Sequence, residues 1–429
     1  LKKIIIFIFF VSQIKAVEFQ LKGYWNQGAG GNNERLIICD TDRDSLFELI
    51  FYGGPPQNST GVIFEQSSSN PFQFEFQASI GKWVIPWVIG DYDMDGLYEI
   101  MCEASFGSAV GITFYEQPDS FYYPVVEIWR DTTYGGSSGL ASGDADNDGL
   151  LDILISSGGK ILIYETRGNN LFERVFEDTF PSQSYGYGTG ISSPMDYDGD
   201  GKKEFVIGSI HERVLLGENR QNDIYCFIWK SPPLYTRNIF DVKSLPDLDH
   251  DGKNEFMVKG WVYPTATVHC FICEATGNNN YEVIWDTIYS TVSCGAGLSD
   301  IGDIDMDGEI EIVLEYGDGF KVLKSIDNNK FVEIGNVLVN PGTSQIKIAP
   351  DLDRNGINEI VVSGGNRETY FFEAILNVNE KKLKIPFSKI ELKDYKIFDF
   401  TGREVKKMEK GIYFLKVKEG KIFKIIKIK

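Results

Sequence analysis

The sequence predicts an all-β fold: a seven-bladed β-propeller of four-stranded blades over residues 17–380, then a small β-sandwich-like module over 381–429. Three observations lead there. A nine-residue acidic pattern returns seven times, apolar runs of strand length surround each copy in the same order, and 44 Gly stand against 15 Pro. Glycine at that level serves the tight turns of repeated β-hairpins. A hydrophobic fraction of 42 % and an aromatic fraction of 14 % exclude a disordered acidic chain, despite a formal charge of −20 over 429 residues.

The acidic pattern reads DTDRDSLFE from Asp40, DYDMDGLYE from Asp91, DADNDGLLD from Asp144, DYDGDGKKE from Asp196, DLDHDGKNE from Asp247, DIDMDGEIE from Asp303 and DLDRNGINE from Asp351. Successive copies begin 51, 53, 52, 51, 56 and 48 residues apart, so one supersecondary unit is repeated. A short strand leads into each copy, as RLIIC before Asp40 or WVIG before Asp91, and an apolar strand follows, as ELIFY, DILIS or EIVVS. A third strand comes next, KILIYE from Lys160 or VHCFICE from Val268, and then a fourth, VVEIWRD from Val125 or YEVIWD from Tyr281. Four strands in about 50 residues make one propeller blade.

Small residues precede three of the loops: GGSSGLASG from Gly135, YGYGTG from Tyr185 and CGAGLS from Cys294. They suit innermost strands that converge on an axis. At the start, VEFQLKGYWN places Trp25 fifteen residues before Asp40, as Trp129 lies fifteen before Asp144 in a fourth strand. The N-terminal strand is therefore expected to supply the outer strand of the seventh blade, which removes an open edge.

Leu1, Lys2 and Lys3 followed by IIIFIFFV and SQIKA read as a secretory signal over residues 1–16, cut after Ala16. A strand of the mature fold is the other reading of that run. No other segment reaches the length of apolar chain that spans a bilayer, so no transmembrane anchor is expected, and the protein is placed outside the cell or on its surface. Six cysteines, Cys39, Cys102, Cys226, Cys270, Cys273 and Cys294, show no disulfide framework. Cys270 and Cys273 lie in a strand, where residues three apart face opposite ways, so they read as buried thiols and not as a metal pair.

Positions 1, 3 and 5 of each acidic loop carry a carboxylate or amide oxygen, position 6 is Gly in six copies, and position 9 is always Asp or Glu. Hard oxygen ligands on a tight turn suit Ca²⁺, which takes six to eight of them. An EF-hand needs its closing acid at position 12, where this chain has residues such as Cys102 and Ile155. Acidic turns chosen for geometry alone are the competing reading.

With these loops on a four-stranded repeat, residues 17–380 resemble the FG-GAP or VCBS-type repeats of integrin α-chain heads and secreted bacterial propellers. The resemblance implies up to seven structural Ca²⁺ ions. Carried over by position, the ligands are Asp40, Asp42, Asp44 and Glu48; Asp91, Asp93, Asp95 and Glu99; Asp144, Asp146, Asp148 and Asp152; and Asp196, Asp198, Asp200 and Glu204. They continue as Asp247, Asp249, Asp251 and Glu255; Asp303, Asp305, Asp307 and Glu311; and Asp351, Asp353, Asn355 and Glu359. The first loop departs from the pattern with Ser45 in place of Gly, and the seventh with Asn355 in place of Asp.

Charge sets the tail apart. Residues 381–429 carry 16 basic and 6 acidic side chains, against 26 and 56 before them. From Tyr395 the tail alternates apolar and basic residues around two Gly-containing turns, and its DFTGREV, GIYFLKV and terminal KIIKIK resemble the C-terminal sorting domain of type IX secretion substrates. That resemblance implies a secretion machinery as partner; a basic tail on an anionic surface is the alternative.

An acidic propeller repels phosphates, which argues against nucleic acid as a partner. No nucleophile elbow, phosphate loop or zinc motif is present, and the three histidines, His211, His250 and His269, form no constellation. The expectation is a monomeric, non-enzymatic binding or adhesion module for an extracellular protein or glycan, with Tyr122, Tyr123, Tyr185, Tyr187 and Tyr235 as candidate stacking aromatics. A calcium-dependent polysaccharide lyase on the same fold is the alternative.

Overall fold

A strand covered on both faces can be apolar at every position, and the strand after each acidic loop has that character: Ile153, Leu154 and Ile155 are all fully buried. In the computed structural model the chain falls into two compact units, Leu1–Ile375 and Leu376–Lys429. The structure describes residues 16–26, 35–54, 57–106, 109–132, 139–157, 159–179, 190–209, 213–234, 238–262, 267–290, 299–316, 319–339, 343–364 and 368–375, and in the tail 395–399, 411–417 and 422–427. Residues 1–15, the small-residue stretches up to positions 138, 189 and 298, Cys294, His211, Tyr185, Tyr187 and Tyr235 lie outside these.

The first unit is a ring of seven antiparallel blades. The third shows the plan, with strands Gly139–Gly143, Asp152–Ser157, Lys160–Gly168 and Leu171–Thr179 in spatial order. The acidic loop joins first strand to second, and a two-residue turn joins third to fourth. Blade four departs at its inner edge. There residues 190–195 meet the second strand, Glu204–Ser209, through isolated bridges Ile191↔Ile207 and Met195↔Glu204 instead of a full ladder. Pro194 has no N–H to give, and Ser192 Oγ accepts the Val206 N–H at 2.9 Å.

The seventh blade closes the ring. Phe19–Asn26 pairs antiparallel with Glu368–Ala374, outside Glu359–Gly364 and Thr343–Ala349. The Ile375 N–H donates to the Glu18 carbonyl at 2.7 Å, extending the seam by one bond. Trp25 packs edge-on against Phe64 of blade one, with ring centroids 5.0 Å apart.

Seven buried apolar clusters are found among the described residues, each shared by two adjacent blades; one of them, containing Trp25, Phe371, Phe51 and Phe64, joins the seventh blade to the first. Alternation along a strand divides its side chains between neighbours: Ile153 and Ile155 pack toward blade two, and Leu154 toward blade four. Cys270 and Cys273 obey the same rule, entering different clusters, and both are free thiols. Near the axis the approach is close. A Cβ on Gly190 would lie 2.8 Å from Val242 Cγ2, so only glycine fits there.

The tail unit shows one antiparallel sheet of three strands, Tyr395–Asp399, Gly411–Val417 and Ile422–Lys427. A sandwich needs a second sheet, and among the described residues there is none. Among the described residues no helix is long and apolar enough to cross a membrane.

Candidate metal centres

Each acidic loop is folded by its own carboxylates. The position 1 Asp accepts the position 6 N–H, as Gly96 to Asp91 Oδ2 at 3.1 Å and Gly252 to Asp247 Oδ2 at 2.9 Å. Position 3 accepts from position 5, and position 5 from position 7, as Asp95 to Asp93 at 3.3 Å and Leu97 to Asp95 at 2.8 Å. The closing acid at position 9 accepts the position 2 N–H, as Tyr92 to Glu99 Oε2 at 2.6 Å. The first and seventh loops keep this plan: Ser45 donates to Asp40 at 3.1 Å, and Ile357 to the Asn355 side chain at 2.9 Å.

The path is left-handed twice, at positions 4 and 6. Arg43, Met94, Asn147, His250, Met306 and Arg354 take φ of about +60° without being glycine, and Ser45 takes +74°. Such residues carry a cost that a bare turn would avoid by using glycine.

These contacts gather the carboxylates. Oxygens of Asp91, Asp93, Asp95 and Glu99 lie within 4.8 Å of one another, as do those of Asp196, Asp198, Asp200 and Glu204. The same holds for Asp40, Asp42 and Glu48, and for Asp144, Asp146 and Asp148. Two oxygens bound to one Ca²⁺ at about 2.4 Å can be no farther apart than about 4.8 Å. For the fifth, sixth and seventh loops the hydrogen-bond plan is the same, with Gly308 on Asp303 at 3.0 Å and Leu352 on Glu359 at 2.8 Å.

One oxygen of each closing acid is used by the loop. The other, on Glu48, Glu99, Asp152, Glu204, Glu255 and Glu359, is buried with no hydrogen-bond donor. Leaving a buried carboxylate oxygen unmatched costs more than a hydrogen bond, so these six atoms call for a cation. The donor set, hard oxygens around a rigid turn, fits Ca²⁺. Burial pushes Glu48, Glu99, Glu204, Glu255 and Glu359 up to about 8, and Asp152 to about 7, with the neighbouring loop carboxylates adding to the shift.

Two further sets of residues belong to the site and were not read from the sequence. In six blades the closing acid faces a glutamate on the third strand: Glu48↔Glu65, Glu99↔Glu116, Asp152↔Glu165, Glu204↔Glu218, Glu255↔Glu274 and Glu359↔Glu373. On Glu116, Glu165, Glu218 and Glu274 one oxygen also lacks a donor, although all four are more than nine-tenths buried. Glu65 stands within the same 4.8 Å of Asp42 and Asp44. Like charges directly opposed across strands are destabilising unless something positive lies between.

The second set comes from the next blade. Its turn between third and fourth strands docks on the loop: the Asn170 N–H on Asp93 Oδ2 at 2.5 Å, Asp223 on Asp146 at 2.8 Å, Asn279 on Asp198 at 2.6 Å and Asn329 on Asp249 at 2.6 Å. Loop charge and blade packing are therefore coupled from blade two to blade six.

Of the two described histidines, His250 is position 4 of the fifth loop and His269 lies on a strand. His250 bonds Glu309 at 2.6 Å on the surface, and His269 bonds Asp286 at 3.0 Å. A groove of about 540 Å³ on the rim of blades two and three is lined by Trp129, Tyr164 and Phe172, whose rings pack on one another, with Arg130 and Arg174 beside them. The Tyr122 ring is more than half exposed and that of Phe121 about three-quarters, on a loop tied to the first acidic loop by Gln117 Nε2 on the Thr41 carbonyl at 2.7 Å.

Residues 144–207, from the third acidic loop to the strand after the fourth, match the family model of the FG-GAP-like repeat. No curated protein matches the chain. The matched span and the seven-bladed ring together support a propeller core whose repeat is FG-GAP-like.

Proposed function

We propose that the chain is an extracellular, calcium-stabilised β-propeller that binds a protein or glycan ligand through loops on one face, as an adhesion module does. The observation that carries the calcium part is the set of six closing acids, each with a buried oxygen that no protein group satisfies. Ca²⁺ would be held by positions 1, 3, 5 and 9, and would join loop, third strand and neighbouring blade into one rigid corner. The exposed Phe121 and Tyr122, on a loop fastened to the first of these corners, supply the ligand-binding surface. Export rests on the leader at residues 1–16 and on the likeness of the tail at 381–429 to type IX sorting domains, with the secretion machinery as the tail's partner.

Titrating the metal-stripped chain with calcium chloride, followed by calorimetry, tests the first part: absence of binding at millimolar calcium overturns it. A glycan array probed with and without chelator, together with Phe121→Ala and Tyr122→Ala variants, tests the second. Binding lost with chelator and weakened by the variants is expected, whereas release of unsaturated sugars would reassign the propeller as a lyase.

A further inference from the structure

The sixth blade breaks the pattern of the others at one residue. Where six blades set a glutamate opposite the closing acid, blade six has Lys324 on its third strand, Gly319–Asp327. Its ammonium lies 2.5 Å from Glu311 Oε1, 2.8 Å from Asp307 Oδ2 and 3.6 Å from Asp305 Oδ2. Glu311 Oε2 accepts the Ile304 N–H at 3.1 Å, so both oxygens of this closing acid are satisfied.

Other basic side chains near the loops do something different. Lys202 reaches Glu218 at 3.1 Å and Asp200 at 3.5 Å, and Lys253 reaches Glu274 at 2.7 Å and Asp251 at 3.5 Å, yet the second oxygens of Glu204 and Glu255 remain without a donor. Those two lysines rise from position 7 of the loop and are more than one-third exposed. Lys22, on the N-terminal strand, reaches Glu373 at 2.6 Å and Asp353 at 3.0 Å in blade seven, yet leaves the second oxygen of Glu359 without a donor. Lys324 enters from the third strand, is 16 % exposed and bonds the closing acid itself.

Its position in the ring gives the reason. Loops two to five receive the turn of the following blade on their position 3 carboxylate. Blade seven has no such turn, because its fourth strand is the N-terminal strand Phe19–Asn26. Asp305 at the seam therefore lacks the turn donor that Asp93, Asp146, Asp198 and Asp249 have, and Lys324 stands beside it instead.

Resting on the calcium reading above, we infer that the sixth loop takes no metal: Lys324 is its resident cation, and the chain holds calcium in six blades, not seven. A lysine ammonium among three carboxylates supplies the positive charge and excludes a second cation from the same space. It also makes the corner at the seam independent of the calcium concentration.

Hydrogen–deuterium exchange on the full chain, in calcium chloride and in chelator, resolves the blades separately. Chelation is expected to speed exchange about tenfold or more at the loop amides of blades one to five and seven, and to leave residues 304–309 unchanged. A response at 304–309 equal to the others overturns the inference while leaving the calcium reading intact. No response in any blade overturns the calcium reading and this inference with it. In Lys324→Gln, and in Lys324→Glu if the first variant folds poorly, residues 304–309 should become calcium-responsive, and native mass spectrometry should count one more ion than in the parent chain. An unchanged count in a folded variant overturns the inference.

Discussion

Blades five and six have acidic loops folded by the same hydrogen bonds and opposite charges across the hairpin. DLDHDGKNE and DIDMDGEIE share their acids at positions 1, 3, 5 and 9 and the same glycine, and both fold through the same hydrogen bonds, Gly252 to Asp247 at 2.9 Å and Gly308 to Asp303 at 3.0 Å. The difference lies across the hairpin, where Glu274 faces Glu255 in one blade and Lys324 bonds Glu311 in the other. The loop motif defines a shell of oxygens, and the residue opposite decides whether that shell needs an ion from outside or already contains its own.

Calcium removal tests the contrast at the largest scale. A site with a dissociation constant of about 10⁻⁴–10⁻³ M contributes about 0.5–1.5 kcal/mol at millimolar calcium, so six should contribute about 3–9 kcal/mol. For a unit of this length, Leu1–Ile375, that corresponds to a melting temperature lower by roughly 4–11 °C in chelator, read by calorimetry. The chelated protein should also depend on pH. Five closing glutamates sit at about 8 in the fold against an ordinary 4.5, so the folded state holds more protons than the unfolded chain across that window. Stability in chelator should therefore fall as pH rises from about 4.5 to about 8, and calcium should remove the decline. A chelated melt that rises over this range would contradict the assignment.

Lys324→Met should cost about 3 kcal/mol in chelator, because Glu311 is left buried with an unmatched charge, and less in calcium. Urea denaturation in the two conditions gives the comparison; equal losses would mean that no ion replaces the lysine. The reverse exchange, Glu274→Lys, should raise calcium-free stability by about 1 kcal/mol and abolish the calcium response of blade five. The smallest effect concerns the first loop. Ser45→Gly relieves a left-handed non-glycine residue and should shift the urea midpoint upward by less than about 1 kcal/mol.

The blades and the loop oxygens were legible in the sequence because both recur at nearly constant intervals. The glutamates opposite the closing acids recur too, but 17, 17, 13, 14, 19 and 14 residues later, since hairpin length varies from blade to blade. Only strand register brings them into line. The sequence marked the first and seventh loops as irregular on account of Ser45 and Asn355, yet both keep the common hydrogen-bond plan. The irregular electrostatics belong to the sixth, whose own nine residues conform. Blade four's missing inner ladder was equally hidden, since Pro194 lies in a stretch that reads as small and polar like its counterparts.

The seam of the ring also has a mechanical consequence. Residue 18 and residue 375 meet at the same end of an antiparallel pair, so tension applied through the chain on either side loads the Val17–Ile334 bond and the bond between residues 375 and 18 first. Under such a load the strand Phe19–Asn26 parts from Glu368–Ala374 one hydrogen bond at a time, as a zipper does, instead of resisting as a sheared ladder with all its bonds in parallel. Trp25 sits near the far end of that strand and is reached late in the peel. A tether pulled from both sides would thus open the seventh blade before any other.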